Sequence, residues 1–268
     1  MSISSVPPPS NRLSDAPSYT QNAAQPASLA AIQMLVGHDE LSVVFQPIID
    51  LETGQVYAHE ALVRCHSTPP RSPPQLFEDA MTLDCVGRLG RLIREIAVPL
   101  SAGLPVFLNV HPDELNDRWL VRPDDPVWFH DAEIFLEVTE SVPLSHFELC
   151  LGVLRELRSR GGVHLVVDDL GAGFSNLKSI SDLEPKVVKL DRELIAGLDR
   201  QPRQQRLVAG VVRLCRDLNA TVVAEGVETT DEFHALQDTG AQLGQGYLFA
   251  RPAYPVPDVF WPPVATTS

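Results

Sequence analysis

The chain has 268 residues, 44% of them hydrophobic, and sets 35 acidic side chains against 21 Lys and Arg for a formal charge of −14. That balance excludes a duplex nucleic-acid binder working through a basic face, and suits either a solvated acidic surface or carboxylates that hold divalent cations. No run reaches membrane-spanning length, no charged-then-apolar leader opens the chain, and four scattered cysteines (Cys65, Cys85, Cys150, Cys215) lack a CxxC spacing, so a soluble, cytoplasmic protein with reduced thiols is expected. Residues 1–27 are Pro, Ser, Ala, Asn and Gln with few large apolar groups and read as a disordered tail, followed by a folded domain over 28–268 with its core at about 41–255.

A short helix is expected from Ser28 to Gly37. Strands are expected at Val43–Ile49 and Val56–Val63, joined by the turn Leu51–Gln55 into a hairpin. After the Pro/Ser loop Ser67–Pro74 comes a helical stretch whose main helix runs from about Cys85 to Leu100. Strands follow at Val106–Val110 and Ile134–Val138. A capping box, Ser145 to Glu148, opens a helix with Leu149, Val153, Leu154 and Leu157 on one face, and Gly161-Gly162 closes it. Further strands are expected at Val163–Val167, Val187–Leu190, Thr221–Ala224 and near Gly244–Phe249. Between them lie a helix from Gln204 to Leu218 and a second capping box at Thr229 and Glu232. Eight strands, mostly separated by helices, fit an α/β fold of the TIM-like (β/α)8 barrel type, with one antiparallel strand imposed by the opening hairpin.

The strand Val163–Val167 ends on Asp168-Asp169, followed by Gly171-Ala172-Gly173. Two ionised neighbours beside a buried strand end repel, and a shared proton or a cation is the usual compensation; read alone, such a pair is more often an N-cap and a loop charge. The other strand ends also carry polar groups: Asn109, Glu137, Lys189 with Asp191, Glu225 with Glu228, and Gln245, while the hairpin adds Glu60 and Arg64. In barrels the chemistry sits at the carboxyl ends of the strands. An all-oxygen set of Glu, Asn and Asp suits magnesium or manganese better than zinc or copper. The eight histidines show no metal-binding spacing, and His59 reads as structural.

Glu60-Ala61-Leu62-Val63-Arg64 resembles the signature that names the EAL family of cyclic di-GMP phosphodiesterases. The resemblance extends through Phe45-Gln46-Pro47-Ile48, Asn109, Glu137-Val138-Thr139-Glu140, Asp168-Asp169-Leu170-Gly171, Lys189-Leu190-Asp191, Ala224-Glu225-Gly226-Val227-Glu228 and Gln245-Gly246-Tyr247, in family order. It implies two magnesium or manganese ions at the barrel mouth. Glu60, Asn109, Glu137 and Asp168 would bind one ion, and Asp168, Asp169 and Glu225 the other. It further implies hydrolysis of cyclic di-GMP to linear pGpG by a two-metal-activated water. Lys189, Glu225 and Glu60 take the catalytic roles. Gln46, Leu62, Arg64, Asp191 and Gln245 are implied as substrate-binding residues, and Glu140 and Glu228 as supports of the loop after the aspartate pair. That loop, Asp169–Leu177, is linked in the family to dimerisation, so a homodimer is expected by resemblance.

Several positions depart from the commonest family pattern: Cys65 after the arginine, Leu170 after the aspartates, Ala172 between the loop glycines, and Phe174-Ser175-Asn176 beyond them. None is an implied metal ligand, and their weight falls on the loop. A catalytically weak cyclic di-GMP receptor signalling through a partner is the alternative; retention of every acid favours the enzyme. A barrel enzyme acting on another phosphodiester would make Arg64 and Gln46 coincidental. With no attached sensory or cyclase domain expected, regulation falls to a protein partner, substrate level, metal or oligomeric state.

Overall fold

A computed structural model of the chain describes residues 25–116, 119–139, 147–171 and 177–262. Eight strands close into one barrel in sequence order. They are β1 (Leu41–Asp50), β2 (Val56–Cys65), β3 (Val106–Asn109), β4 (Ile134–Thr139), β5 (Val163–Leu170), β6 (Val187–Leu190), β7 (Thr221–Ala224) and β8 (Leu243–Gly244). β1 runs antiparallel to both its neighbours, β2 and β8, and every other pairing is parallel. The expected hairpin is therefore the single reversed strand of an otherwise parallel barrel. Asp50 closes its turn by accepting from the backbone N–H groups of Glu52 and Thr53 at 3.0 and 2.8 Å.

Around the strands lie α1 (Gln25–Leu35), α2 (Pro73–Thr82), α3 (Val86–Leu100), α4 (Pro112–Asn116), α5 (Phe147–Arg160), α6 (Leu177–Leu183), α7 (Arg192–Ile195), α8 (Pro202–Asp217) and α9 (Thr230–Thr239). α1 starts three residues before the expected helix and ends at Leu35. The Thr229/Glu232 capping box forms as expected, with each group bonding the other's backbone N–H. Ser145, the opening residue of the other box, lies outside the described residues, as do Glu140 and the loop residues 172–176.

Among the described residues, a five-residue helix, α4, and short 3-10 turns at Trp119–Val121 and Pro126–Phe129 connect β3 to β4. One element differs from expectation. The last strand is two residues long, not a run to Phe249. Beyond Gln245 the chain must pass over the backbone of Val227: a Cβ on Gly246 would meet Val227 O at 2.0 Å. Phe249 and Ala250 then donate back to Gly246 O at 3.1 and 3.2 Å, which coils this segment into a turn.

The barrel interior follows from the two-residue alternation of strand side chains. Its floor is Ile48, Ala58, Phe107, Phe135, Val166, Val187, Val223 and Leu243, one from each strand and all buried. Phe107 and Phe135 stack with centroids 4.4 Å apart and plug it. Two residues further toward the mouth on each strand comes a second inward-facing set: Gln46, Glu60, Asn109, Glu137, Asp168, Lys189, Glu225 and Gln245. Because β1 is reversed, its mouth-side residue precedes its floor residue in sequence. The larger apolar clusters lie outside the barrel wall, between strands and helices.

Candidate active site

A single bonded network connects the eight mouth-side residues. Lys189, 1% exposed, lies at its centre, with its Nζ 2.6 Å from Glu137 Oε1 and 2.6 Å from Glu225 Oε1. Asp168 Oδ1 is 3.3 Å from the same nitrogen and Glu60 Oε2 is 3.5 Å away. On the other side of Glu60, Gln245 Nε2 donates to Glu60 Oε2 at 2.6 Å and to Gln46 Oε1 at 3.2 Å, while Asn109 Nδ2 donates to Glu60 Oε1 at 3.1 Å. Gln46 is in turn fixed by donating to the carbonyl of Ala250 at 3.1 Å.

Asp169 breaks the alternation. As the neighbour of an inward-facing Asp168 it would point away from the mouth, yet its backbone takes a left-handed φ of +59° and its N–H donates to Asp168 Oδ1 at 2.9 Å. The β5–β6 register slips at the same point, between Val167 and Leu170. The kink returns Asp169 to the same side, so that Asp168, Asp169 and Glu225 each offer an oxygen within 4.8 Å of the others. Strain of this kind persists where surrounding structure over-determines it, and it clusters at functional sites.

The electrostatics follow from an excess of acids around one ammonium. Burial raises Glu60, but Lys189 and the hydrogen bonds from Gln245 and Asn109 outweigh it and hold its carboxyl below the ordinary value. Glu137 is driven well above its ordinary value by burial and by the neighbouring Glu60, despite Lys189. Burial likewise pushes Glu225 up to about 8. Burial pulls Lys189 down, and the surrounding acids reverse this and keep it protonated. Among the described residues, Glu137 Oε2 and Gln245 Oε1 are buried without a hydrogen-bond partner. Orphaned acceptors among crowded carboxylates are the donor set a hard divalent cation requires. The residues present fit such a group.

Of the remaining sequence candidates, Leu62 and Arg64 share the inward face of β2 with Glu60 and rise from it toward the mouth. Arg64 lies about 13 Å of strand above Glu60, half-buried, with Nη1 donating to Val63 O at 2.9 Å. Asp191 is the N-cap of α7 and accepts from Glu193 N at 2.7 Å. Glu228 pairs with Arg192 at 3.0 Å, joining the turn after β7 to the start of α7. Leu170 is buried among Ile180, Leu190 and Ile195 rather than lining the site. Sequence reasoning gave no place to Ala250, whose segment returns along β1 through a bridge between Ala253 and Phe45. Its only sequence signal was the Gly246 that lets the chain turn back.

The EAL domain family model matches residues 29–252. The chain belongs to the EAL domain family. The cyclic di-GMP phosphodiesterase RocR of Pseudomonas aeruginosa is 31% identical over 254 residues, covering 90% of this chain and 64% of RocR. The cyclic di-GMP phosphodiesterase PdeR of Escherichia coli is 33% identical over 230 residues, 80% of this chain and 34% of PdeR. This EAL chain thus spans between about a third and two thirds of the length of these relatives. Among solved structures, Klebsiella pneumoniae BlrP1 in complex with manganese and cyclic di-GMP aligns with a TM-score of 0.69 and 32% identity, over 80% of this chain and 56% of that one. The Glu60-Ala61-Leu62 that gives the EAL family its name places its glutamate in the bonded layer and its leucine one step toward the mouth.

Proposed function

We propose that this EAL domain hydrolyses cyclic di-GMP to linear pGpG in a reaction that requires two magnesium or manganese ions. The observation that carries the reading is the mouth-side layer itself: four carboxylates and three amides converge around one lysine, the kink adds Asp169 as a fifth acid, and buried acceptor oxygens are left unpartnered among the described residues. The names of RocR and PdeR, and the BlrP1 complex, support the substrate.

Glu60, Asn109, Glu137 and Asp168 would hold one ion, and Asp168, Asp169 and Glu225 the other. Bound there, the ions would supply a water of lowered pKa and neutralise charge on the phosphoryl oxygens. Gln245 and Asn109 hold both oxygens of Glu60 in one orientation, and Gln46 anchors Gln245, so these amides keep the first acid in place. Lys189 is a fixed proton donor among the acids and is positioned to hydrogen-bond the attacking water or a phosphate oxygen. Glu225, which meets Asp168 and Asp169 at the second ion's position, is placed to receive the proton of that water. At the rim, the Arg64 guanidinium offers a planar fork to phosphate or guanine, Leu62 an apolar contact beneath it, and Asp191 a carboxylate beside the α7 start. The Glu228–Arg192 pair braces the adjacent turn. The floor of stacked phenylalanines keeps bulk water from entering from below.

A homodimer formed through the loop after Asp169, and control by a protein partner, complete the proposal. A cytoplasmic setting agrees with the free thiols of Cys65, Cys85 and Cys215 and with the lack of a membrane-length apolar helix among the described residues. Glu60→Ala tests the assignment. Hydrolysis should fall below detection while the barrel stays folded, and wild-type turnover in that variant would sink the metal assignment.

A further inference from the structure

A second set of charges is buried outside the barrel. On α3, Arg94 is 1% exposed, and its Nη1 donates to Glu114 Oε2 at 2.6 Å. Its Nε and Nη2 donate to Asp125 Oδ1 and Oδ2 at 3.1 and 2.9 Å, a two-pronged grip. Both acids are fully buried. Glu114 belongs to α4 and Asp125 caps the 3-10 turn Pro126–Phe129, accepting from Val127 N at 3.2 Å. The helix was shaped to admit this contact: a Cβ on Gly90, one turn before Arg94, would lie 2.0 Å from Glu114 Oε2.

The network reaches the proposed metal site through the chain. Glu114 Oε1 accepts the backbone N–H of His111 at 3.1 Å, and Glu114 N donates back to His111 O at 2.9 Å. His111 is two residues beyond Asn109, and the intervening Val110 N donates to Glu137 O at 2.9 Å. β3 is four residues long, and among the described residues the helix that follows it, α4, has five. Burying three charges is a weak source of stability, because desolvation offsets most of the attraction; fixing one geometry is the better-attested use of such a network.

We propose that Arg94 and Glu114 are positioning residues that clamp the β3–α4 junction and thereby set Asn109 for cation binding. The inference rests on the two-metal reading above. Glu114→Gln keeps the shape and one acceptor while removing the charge. Direct Mn2+ titration of the folded chain, by the electron paramagnetic resonance signal of free Mn2+, should show about tenfold weaker binding, the usual scale for disturbing the support of a ligand. Turnover at saturating Mn2+ should stay within about twofold of wild type, since a misplaced ligand is recovered once the ion is bound. Acting through Asn109, the change should add nothing in an Asn109→Ala background.

Wild-type Mn2+ affinity in a folded Glu114→Gln chain would overturn the clamp, as would full additivity with Asn109→Ala. Should Glu114→Gln fail to fold, Arg94→Lys, which loses the two-pronged grip on Asp125, is read in the same way. If the wild-type chain hydrolyses cyclic di-GMP and only the variant results disagree, the clamp alone falls. If the wild-type chain binds no Mn2+, the functional reading falls and the clamp with it.

Discussion

Lys189→Met removes the charge at the centre of the site and leaves a side chain of similar length. Four carboxylates have an oxygen within 3.5 Å of the lysine nitrogen, two of them at 2.6 Å, and the group is 1% exposed. Stripping one partner from a buried ion pair costs about 3–5 kcal/mol. For a chain of this size each kcal/mol corresponds to roughly 2–4 °C in melting temperature, so the variant should melt roughly 6–20 °C below wild type in chelator. Divalent cations would restore positive charge among the same oxygens, so millimolar Mn2+ should raise the variant's melting temperature more than the wild type's. Thermal unfolding followed by circular dichroism, with EDTA and with Mn2+, reads both effects. A variant that melts within about 2 °C of wild type in EDTA would overturn this, because Lys189 would then not be a buried ion-pair partner of the acids around it.

Glu232 accepts backbone N–H groups from Gly197, Glu228 and Thr229 at 2.8, 3.0 and 3.0 Å. Burial raises its pKa, but these bonds prevail and the carboxyl sits below its ordinary 4.5. A depressed acid stabilises the fold above its unfolded pKa and loses that contribution as pH falls through the folded one. Glu232→Gln should therefore cost about 1–2 kcal/mol near pH 7, and the gap to wild type should shrink below pH 4.5; urea unfolding at both pH values checks it, and a gap that widens in acid contradicts the sign. Gly246→Ala should displace the Val227 backbone and, with it, the Gln245 that holds Glu60. Hydrolysis should drop by tenfold or more even where circular dichroism shows a folded barrel, and unchanged activity would mean that Gln245 is not a support of the site.

The barrel was legible because its strands are short apolar runs and its helices carry repeating stripes. The reversal of β1 followed from a five-residue turn too short for a crossover. The mouth-side layer of the candidate site was legible residue by residue, since one polar side chain stands two positions after an inward apolar one on seven strands, and before it on β1. What the sequence did not disclose depends on contacts distant along the chain. Period-two alternation puts Asp168 and Asp169 on opposite faces, and only the left-handed turn at Asp169 brings them together. The apolar letters Tyr247-Leu248-Phe249 continue a strand pattern, and the close approach of Gly246 to Val227 prevents it. Arg94 was visible as a charge within the apolar stripe Leu89, Ile93 and Ala97, but its partners lie 20 and 31 residues away.

The most direct test of the account is incubation of the purified chain with cyclic di-GMP and Mn2+ or Mg2+, with products separated by chromatography. Linear pGpG is expected, and it should disappear when a chelator is added. Intact cyclic di-GMP in the presence of either metal, with the barrel folded, would contradict it.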